Sequence, residues 1–564
     1  MRPLVLVVAP NPFGDDARAP AYESDFCLWT RSGHPASLSN LVRLFNPVGS
    51  SRGPLGNRWG TARPLAGYYL ESFLKTHGYD ARAVFELDEA GSWAAASSAL
   101  PVAVALSTTF ITTATELART VLRVRSGVGP DVPIIIGGQL VWKHHLWGPE
   151  RFAGRTEIEG RPDLAPLFEP HGDPVLRDAI YVASEFGEHT LLRLLELVRR
   201  GARTAAEFSD VENLVLWTPE GWRVTGRAPE PVDLDGEFTR WDLVDEMPAT
   251  MVPVRASVGC PHQCEFCDFV AVHPHLRLRS ASSVVDELRL IAARGGTSIS
   301  FMDDNALSSP GRARALARAI SETELGLRWT AYLRADRVAE DDAVLLAKSG
   351  LMGGWCGIES GDPEILRSMR KRSNPEAARL GIDSLTGAGV SVLTFIILGF
   401  PGETRASVDT TVAFLNSLRH DGRGQVEYMV WPFYLVPGSP VDSPERRREL
   451  GLTGLFDRWR HATMDSSDVR ATWAPHFFRG VDAGYYHGPA NSPLWSGGRR
   501  REAVMHRKAV TTAFLENAPD EVVQDRFAAL YRSVRLTPSE VPQWRTLLAP
   551  RDQQPRTPPT CSTR

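Results

Sequence analysis

The feature that most constrains this chain is an alternation. Short β-branched runs and longer amphipathic stretches follow one another twice, in two series separated by a polar segment. A short apolar run that is apolar on both faces suits a strand of a parallel sheet, and the amphipathic stretches between such runs suit covering helices. In the first series "LVLVVAP", "ARAVFEL", "VAVALSTTF", "VPIIIGGQL" and "DAIYVA" read as strands, while "PLAGYYLESFLKTHG", "TATELARTVLRVRS" and "EHTLLRLLELVRRG" read as helices. This predicts a doubly wound, Rossmann-like α/β domain over residues 1–210, with ligands at the carboxyl ends of the strands. The Gly/Pro/Ser-rich segment from Gly14 to about Arg63 is too long for an ordinary βα loop and reads as a functional loop or lid.

Residues 211–250 read as a small hairpin followed by a polar linker. The second series spans 251–445, with strands "MVPVRASV", "TSISFMDD", "RWTAYLRA", "GGWCGIES", "VSVLTFIILGF" and "VEYMVWPFYL". It predicts a (β/α) barrel or part of one, with chemistry at the C-terminal mouth. Residues 446–564 form a mixed region, rich in Trp, His and Tyr, that ends in a Pro-rich, polar tail with the composition of disorder. Packing over the barrel is the expected role of its aromatic stretch "TWAPHFFRGVDAGYYHGPANSPLW", with walling of a substrate pocket as the alternative.

Composition narrows the function classes. A length of 564 residues implies two or three domains, and 43% hydrophobic with 23% charged residues is ordinary for a globular protein. The net charge is −4 and no basic tract stands out, so neither nucleic acid nor an anionic membrane is an expected partner. The apolar run near the N-terminus stops at Pro10 and Pro12, and no segment approaches the ~18 apolar residues of a membrane span. Six cysteines in so long a chain argue for a reducing compartment, and a cytoplasmic location is expected.

Three of the six cysteines lie in "SVGCPHQCEFCDF", at Cys260, Cys264 and Cys267. Cysteine zinc sites normally complete four ligands in two close pairs, and there is no second pair, because Cys27, Cys356 and Cys561 are far apart in sequence. Three thiolates suit a [4Fe–4S] cluster that keeps one iron open for a substrate or cofactor. Cys356 reads as a small buried hydrophobe.

With Phe266 before the third cysteine, this segment resembles the C-x3-C-x-aromatic-C motif of the radical S-adenosylmethionine (SAM) superfamily. Later segments resemble that family's strand-end elements in order: "FMDDN" with Asp303 and Asp304, "RADR" with Arg334, "GIESG" with Glu359 and Ser360, "ILGFPGET" with Leu398 and Gly399, and "YLVPGSPV". The resemblance implies that Cys260, Cys264 and Cys267 hold the cluster and that Phe266 and these strand-end residues contact SAM.

Residues 1–200 resemble the cobalamin-binding domain that precedes many radical SAM barrels, through "PLAGYYLESFLKTHGYDARAVFE", "LSTTF", "IIIGGQ" and "ASEFGEHTL". This implies cobalamin contacts at Ser107, Thr108, Thr109, Gly137, Gly138, Gln139, Glu185 and Gly187. The Asp-x-His-x-x-Gly motif of many cobalamin proteins is missing: Lys143 stands where Asp would precede His145. His144 and His145 therefore read as surface or second-shell residues, and no protein histidine ligand to cobalt is expected. Arg58, Trp59 or Arg63 could lie near the lower corrin face, or on a solvent loop.

Methylthiotransferases pair a similar barrel with an N-terminal domain carrying three further cysteines, and here that domain holds only Cys27. The resemblance thus implies a cobalamin-dependent radical SAM C-methyltransferase. Such an enzyme moves a methyl group from SAM through methylcobalamin to a carbon of a small-molecule or natural-product intermediate. A cobalamin-dependent radical SAM cyclase or rearrangement enzyme is the alternative within the family; a non-catalytic corrin- or SAM-responsive binding protein lies outside it. The implied partners are a small-molecule substrate and an external electron donor of flavodoxin or ferredoxin type.

Overall fold

The computed structural model describes residues 2–10, 29–31, 34–36, 63–87, 100–152, 164–169, 173–248, 251–418, 423–481 and 484–485, with scattered positions between 505 and 529. Arg58, Trp59, Cys27, Cys561 and the C-terminal tail lie outside the described residues. Two compact units are present, one drawn from Met1–Pro20, Ala62–Val258 and Ala271–Ser298, the other from Ala21–Thr61, Gly259–Val270 and Ile299–Arg564.

The first unit is organised around β1 (Leu4–Val8), β2 (Asp80–Val84), β3 (Ala103–Ser107), β4 (Ile134–Gly137) and β5 (Ile180–Val182). These strands are parallel and ordered β2-β1-β3-β4-β5. Strand order reverses at β1 and β3, the topological switch point where ligands of doubly wound sheets bind. β6 (Leu214–Thr218) and β7 (Gly221–Val224) extend the sheet as an antiparallel hairpin beyond β5.

The side-chain period of two splits β1 between two cores. Val5 and Val7 pack with Leu74 from α1 (Leu65–Thr76) and with Leu194 and Leu195 from α4 (Glu188–Arg199). Leu6 and Val8 pack on the other face with Val121 and Val124 from α2 (Ala114–Val128) and Leu140 and Val141 from α3 (Gln139–Trp147). Each such side chain contributes roughly 1.5–3 kcal/mol on burial, which explains why the strands read as uninterrupted apolar runs. Thr113 caps α2 by accepting the Glu116 N–H, which sets where that helix begins.

The segment expected to be a polar linker, 226–248, is instead packed into the first unit. Trp241 is 0% exposed, and its indole N–H donates to Glu287 Oε1 at 2.8 Å. Glu287, on α5 (Ala281–Ala293), is also paired with the buried guanidinium of Arg279. The sequence of this segment is polar on average, and a single buried tryptophan outweighs that average.

In the second unit β8 (Ser298–Phe301), β9 (Arg328–Leu333), β10 (Leu351–Glu359), β11 (Ser391–Leu398), β12 (Val426–Pro432) and β13 (Gly484–Tyr485) lie in consecutive order. The pairs from β9 to β13 are parallel. The helices α6 (Pro310–Ser321), α7 (Glu340–Lys348), α8 (Pro375–Gly387) and α9 (Arg405–Ser417) fall between successive strands. This is the βα order of a partial barrel. Phe477, from the aromatic C-terminal stretch, is fully buried against Tyr428 of β12, with ring centroids 5.7 Å apart. Among the described residues no helix is long and apolar enough to cross a membrane.

Replacing Glu287 with Ala should destabilise the first unit by about 3–5 kcal/mol, because it strands the buried Arg279 charge. A lower unfolding midpoint, followed by circular dichroism, is the expected result.

Candidate functional site

The three cysteines occupy a loop whose own backbone is tied down by one residue between them. The Glu265 N–H donates to Met369 O at 2.9 Å, and Glu265 O accepts the Val441 N–H at 3.0 Å. Its carboxylate, 0% exposed, pairs with Arg370 Nε at 2.8 Å and Arg446 Nε at 3.3 Å. The Cys267 N–H donates to Cys264 O at 3.1 Å, closing a turn that carries two of the thiols. Cys264 is buried, while Cys260 and Cys267 are partly exposed.

Asn305, just past β8, directs Nδ2 at Cys260 Sγ, 3.7 Å away. Burial pushes the Cys264 and Cys267 thiols up, Cys267 to about 12, and Lys371 pulls Cys264 back down. Lys371 is itself buried. Burial opposes its charge, but Glu359 and Cys264 outweigh that and hold its pKa above the ordinary value. The Lys371 and Arg334 charges at Cys264 and the Asn305 N–H donor at Cys260 fit an anionic, thiolate-bound group. Among the described residues no three His, Cys, Asp or Glu converge on one metal ion; a cubane takes its three thiolates on three different irons.

The residues expected to contact SAM fall at successive strand ends. Asp303 and Asp304 follow β8, Arg334 follows β9, Glu359 ends β10 and is followed by Ser360, and Leu398 ends β11 and is followed by Gly399. Glu359 has φ 67°, and the register of β10 against β11 shifts between Gly357 and Glu359. A bulge at a strand end re-aims the side chain, and here it points the carboxylate at Lys371 Nζ, 2.8 Å away. Arg334 pairs with Asp336 at 3.1 Å and donates to the carbonyls of Lys371 and Arg372 at 3.0 and 2.9 Å. The Ser360 hydroxyl lies 3.1 Å from Thr411 Oγ1 and accepts the Asp362 N–H, so it braces the turn from within. Behind Gly399, His461 donates from Nε2 to its carbonyl at 3.1 Å and stacks on Trp459.

The residues expected to contact cobalamin gather at the C-terminal edge of the first sheet. Ser107 Oγ and Thr109 Oγ1 are 2.9 Å apart; Thr108 Oγ1 donates to Gly137 O at 2.9 Å. Gly138 has φ 104°, and a Cβ there would lie 3.0 Å from Thr108 Oγ1. Gly187 immediately precedes α4, and a Cβ on it would meet Val182 Cγ1 at 2.7 Å. Glu185 and Gln139 are bridged by a residue the sequence reading missed: His273 Nδ1 is 3.1 Å from Glu185 Oε1, and its Nε2 is 3.0 Å from Gln139 Nε2. Gln139 Oε1 is buried without a hydrogen-bond partner. Arg63 pairs with Glu246 at 3.1 Å and lies over the Phe85 ring.

His144, read from the sequence as a surface or second-shell group, lies in the core. Its Nδ1 accepts the Leu167 N–H at 2.9 Å, and burial lowers its pKa to about 3. His145 is partly buried, with Nε2 2.6 Å from Arg227. Cys356 is fully buried, as expected of a small hydrophobe. Lys371 and Glu265 also escaped the sequence reading, which placed Asn305 only as the last residue of "FMDDN". Lys371 stands in an Arg-Lys-Arg run, whose composition is that of a solvated surface, and nothing local marks it as buried.

Residues 254–415 match the Radical SAM superfamily. An uncharacterized methyltransferase of Pyrococcus horikoshii is 26% identical over 323 residues, which cover 56% of this chain and 64% of the relative. The chain thus spans less than two thirds of that relative's length. Among solved structures, the radical SAM methyltransferase TsrM of Kitasatospora setae, with cobalamin and a [4Fe–4S] cluster bound, aligns at TM-score 0.55 and 16% identity over 94% of this chain and all of that one. The cobalamin-dependent SAM radical enzyme OxsB, with aqua-cobalamin and SAM bound, aligns at TM-score 0.54 and 13% identity over 97% of this chain and 79% of that one. The chain therefore carries a radical SAM domain. Its fold is the one found in cobalamin-dependent radical SAM enzymes.

Glu403, in "GFPGET", gives the site a pH dependence. It accepts the Gly399 N–H, and burial pushes its carboxyl up to about 8. The folded state then holds a proton that the unfolded chain releases near the ordinary carboxylate range. Stability from this group is full below that range and lost as pH rises toward 8. Glu403→Gln should flatten this slope, measured as the unfolding midpoint against pH for both proteins.

Proposed function

We propose that the protein is a cobalamin-dependent radical SAM C-methyltransferase acting on a small-molecule, natural-product-type intermediate. The observation that carries the reading is the anchored three-thiol loop lying in the same unit as a consecutive series of parallel strand ends that bear Asp303, Arg334, Glu359 and Gly399. When bound, the cluster and SAM would supply a carbon-centred radical on the substrate, and cobalamin the methyl group that it takes.

Within this reading Cys260, Cys264 and Cys267 hold three irons. Glu265 keeps their loop in place through Arg370 and Arg446, and Asn305 donates to the Cys260 sulfur. Phe266, Asp303, Asp304, Glu359 and the Leu398-Gly399 backbone hold and orient SAM, and Arg334 fixes the chain that carries Lys371. On the first unit, Ser107, Thr108, Thr109, Gly137, Gly138 and Gly187 offer hydroxyls and closely approachable backbone to cobalamin. The buried, unpartnered Gln139 Oε1 is an acceptor suited to a corrin amide N–H. A one-electron donor of flavodoxin or ferredoxin type is the expected partner.

Anaerobic reconstitution with iron, sulfide and hydroxocobalamin, then desalting, should leave about four irons and one cobalt per chain. With SAM and a chemical reductant, 5′-deoxyadenosine and S-adenosylhomocysteine should both form, because SAM serves twice. Four irons without retained cobalt would overturn the methyl-transfer reading. Cys264→Ser should abolish 5′-deoxyadenosine formation. Glu265→Ala should lower the retained iron well below that of the unaltered chain while leaving its circular dichroism spectrum unchanged.

A further inference from the structure

A buried lysine beside the cysteine loop is held there at a conformational cost. Arg370 and Arg372, on either side of Lys371, have φ 49° and 51°, the left-handed region that non-glycine residues avoid. Such a residue is strained and persists only where its surroundings over-determine it. Here they do: Arg334 grips the carbonyls of Lys371 and Arg372, Glu265 takes the Met369 carbonyl on its N–H, and its carboxylate pairs with Arg370. The loop that bears the thiols and the turn that bears the lysine are therefore pinned to each other through Glu265.

The ammonium so presented faces Glu359 and the ring of Phe266. It lies 2.8 Å from Glu359 Oε1 and 5.9 Å from the centroid of Phe266, the ring between Cys264 and Cys267. At Gly357 an added Cβ would lie 2.3 Å from Glu359 Oε1 and 2.9 Å from Lys371 Nζ, so only glycine leaves room for the pair. At the Cys264 sulfur the Lys371 charge outweighs that of Glu359. In a buried site such a charge is weakly screened.

We infer that Lys371 is a positioning residue with two effects: it fixes Glu359 at the end of β10, and it makes a cluster on the three thiols easier to reduce. This rests on the cluster assignment above. One electron from an external donor adds one negative charge to the thiolate-bound group, and the fixed ammonium stabilises that charge. Lys371 gains and loses neither proton nor electron, and no bond to the protein forms or breaks.

The test is an EPR-monitored redox titration of the reconstituted full-length chain without SAM. Lys371→Met should lower the reduced-to-oxidised ratio at a fixed poise about tenfold, equivalent to 59 mV for a one-electron couple, at unchanged iron content. Lys371→Arg should restore most of it. Glu359→Gln, which removes the opposing charge, should shift the ratio upward. A purely structural role for the pair would give no such opposition in sign. Unshifted potentials in Lys371→Met, or shifts of one sign in both variants, would overturn the inference. If Lys371→Met fails to retain iron, Glu359→Gln decides alone: an upward shift supports the inference and no shift overturns it. An unaltered chain that takes up no iron overturns the cluster assignment and this inference together, whereas a normal cluster with unshifted potentials overturns only the latter.

Discussion

Parallel strands joined through helices leave all their C-terminal ends on one edge, and both units of this protein are organised by that constraint. In the second unit it brings Phe301, Leu333, Glu359 and Leu398, far apart in sequence, to the ends of consecutive strands. In the first it gathers Ser107, Gly137 and Val182 at the ends of three adjacent strands, β3, β4 and β5, the first of which borders the switch point. The backbone groups at such an edge have run out of sheet partners, so side chains and loops must satisfy them. Thr108 and His461 do this for the carbonyls of Gly137 and Gly399.

The electrostatics of the cysteine loop follow from the same packing. Burial alone would keep Cys264 and Cys267 as neutral thiols, which bind no metal until deprotonated. At Cys264, Lys371 and Arg334 supply compensating positive charge, and each is itself held by a carboxylate, Glu359 and Asp336; at Cys267 only the Phe269 N–H opposes the effect of burial. Glu265 performs the complementary task. As the one acid fully buried within the loop, it draws Arg370 and Arg446 to it and closes the loop against the rest of the unit.

Much of the fold was legible because fully buried parallel strands are apolar on both faces. "LVLVV" and "IIIG" show as uninterrupted runs, "SVLTFIIL" as one broken only by Thr394, and all three are strands. Legibility failed where one residue overrode its neighbourhood. The 226–248 segment reads as polar, yet Trp241 anchors it through Glu287. His144 sits among polar and aromatic residues of a helix with weak amphipathicity, so nothing in the periodicity shows that it faces the core, where it serves the Leu167 N–H. The three thiols were legible from spacing alone, since they act within one loop. Lys371 and His273 were not, since each acquires its role from a partner distant in sequence, Glu359 or Glu185.

The sequence by itself therefore determined what is local: the strand and helix alternation, the three-cysteine loop and the glycine turns at strand ends. These depend on side-chain periodicity and backbone freedom over a few residues. Tertiary structure alone decided which charges meet at the site, namely Lys371 with Glu359, Arg334 with the Lys371 turn, and Glu265 with two arginines. Ion pairs and buried hydrogen bonds depend on distance in space, and only the completed sheet and its helices bring those residues within reach.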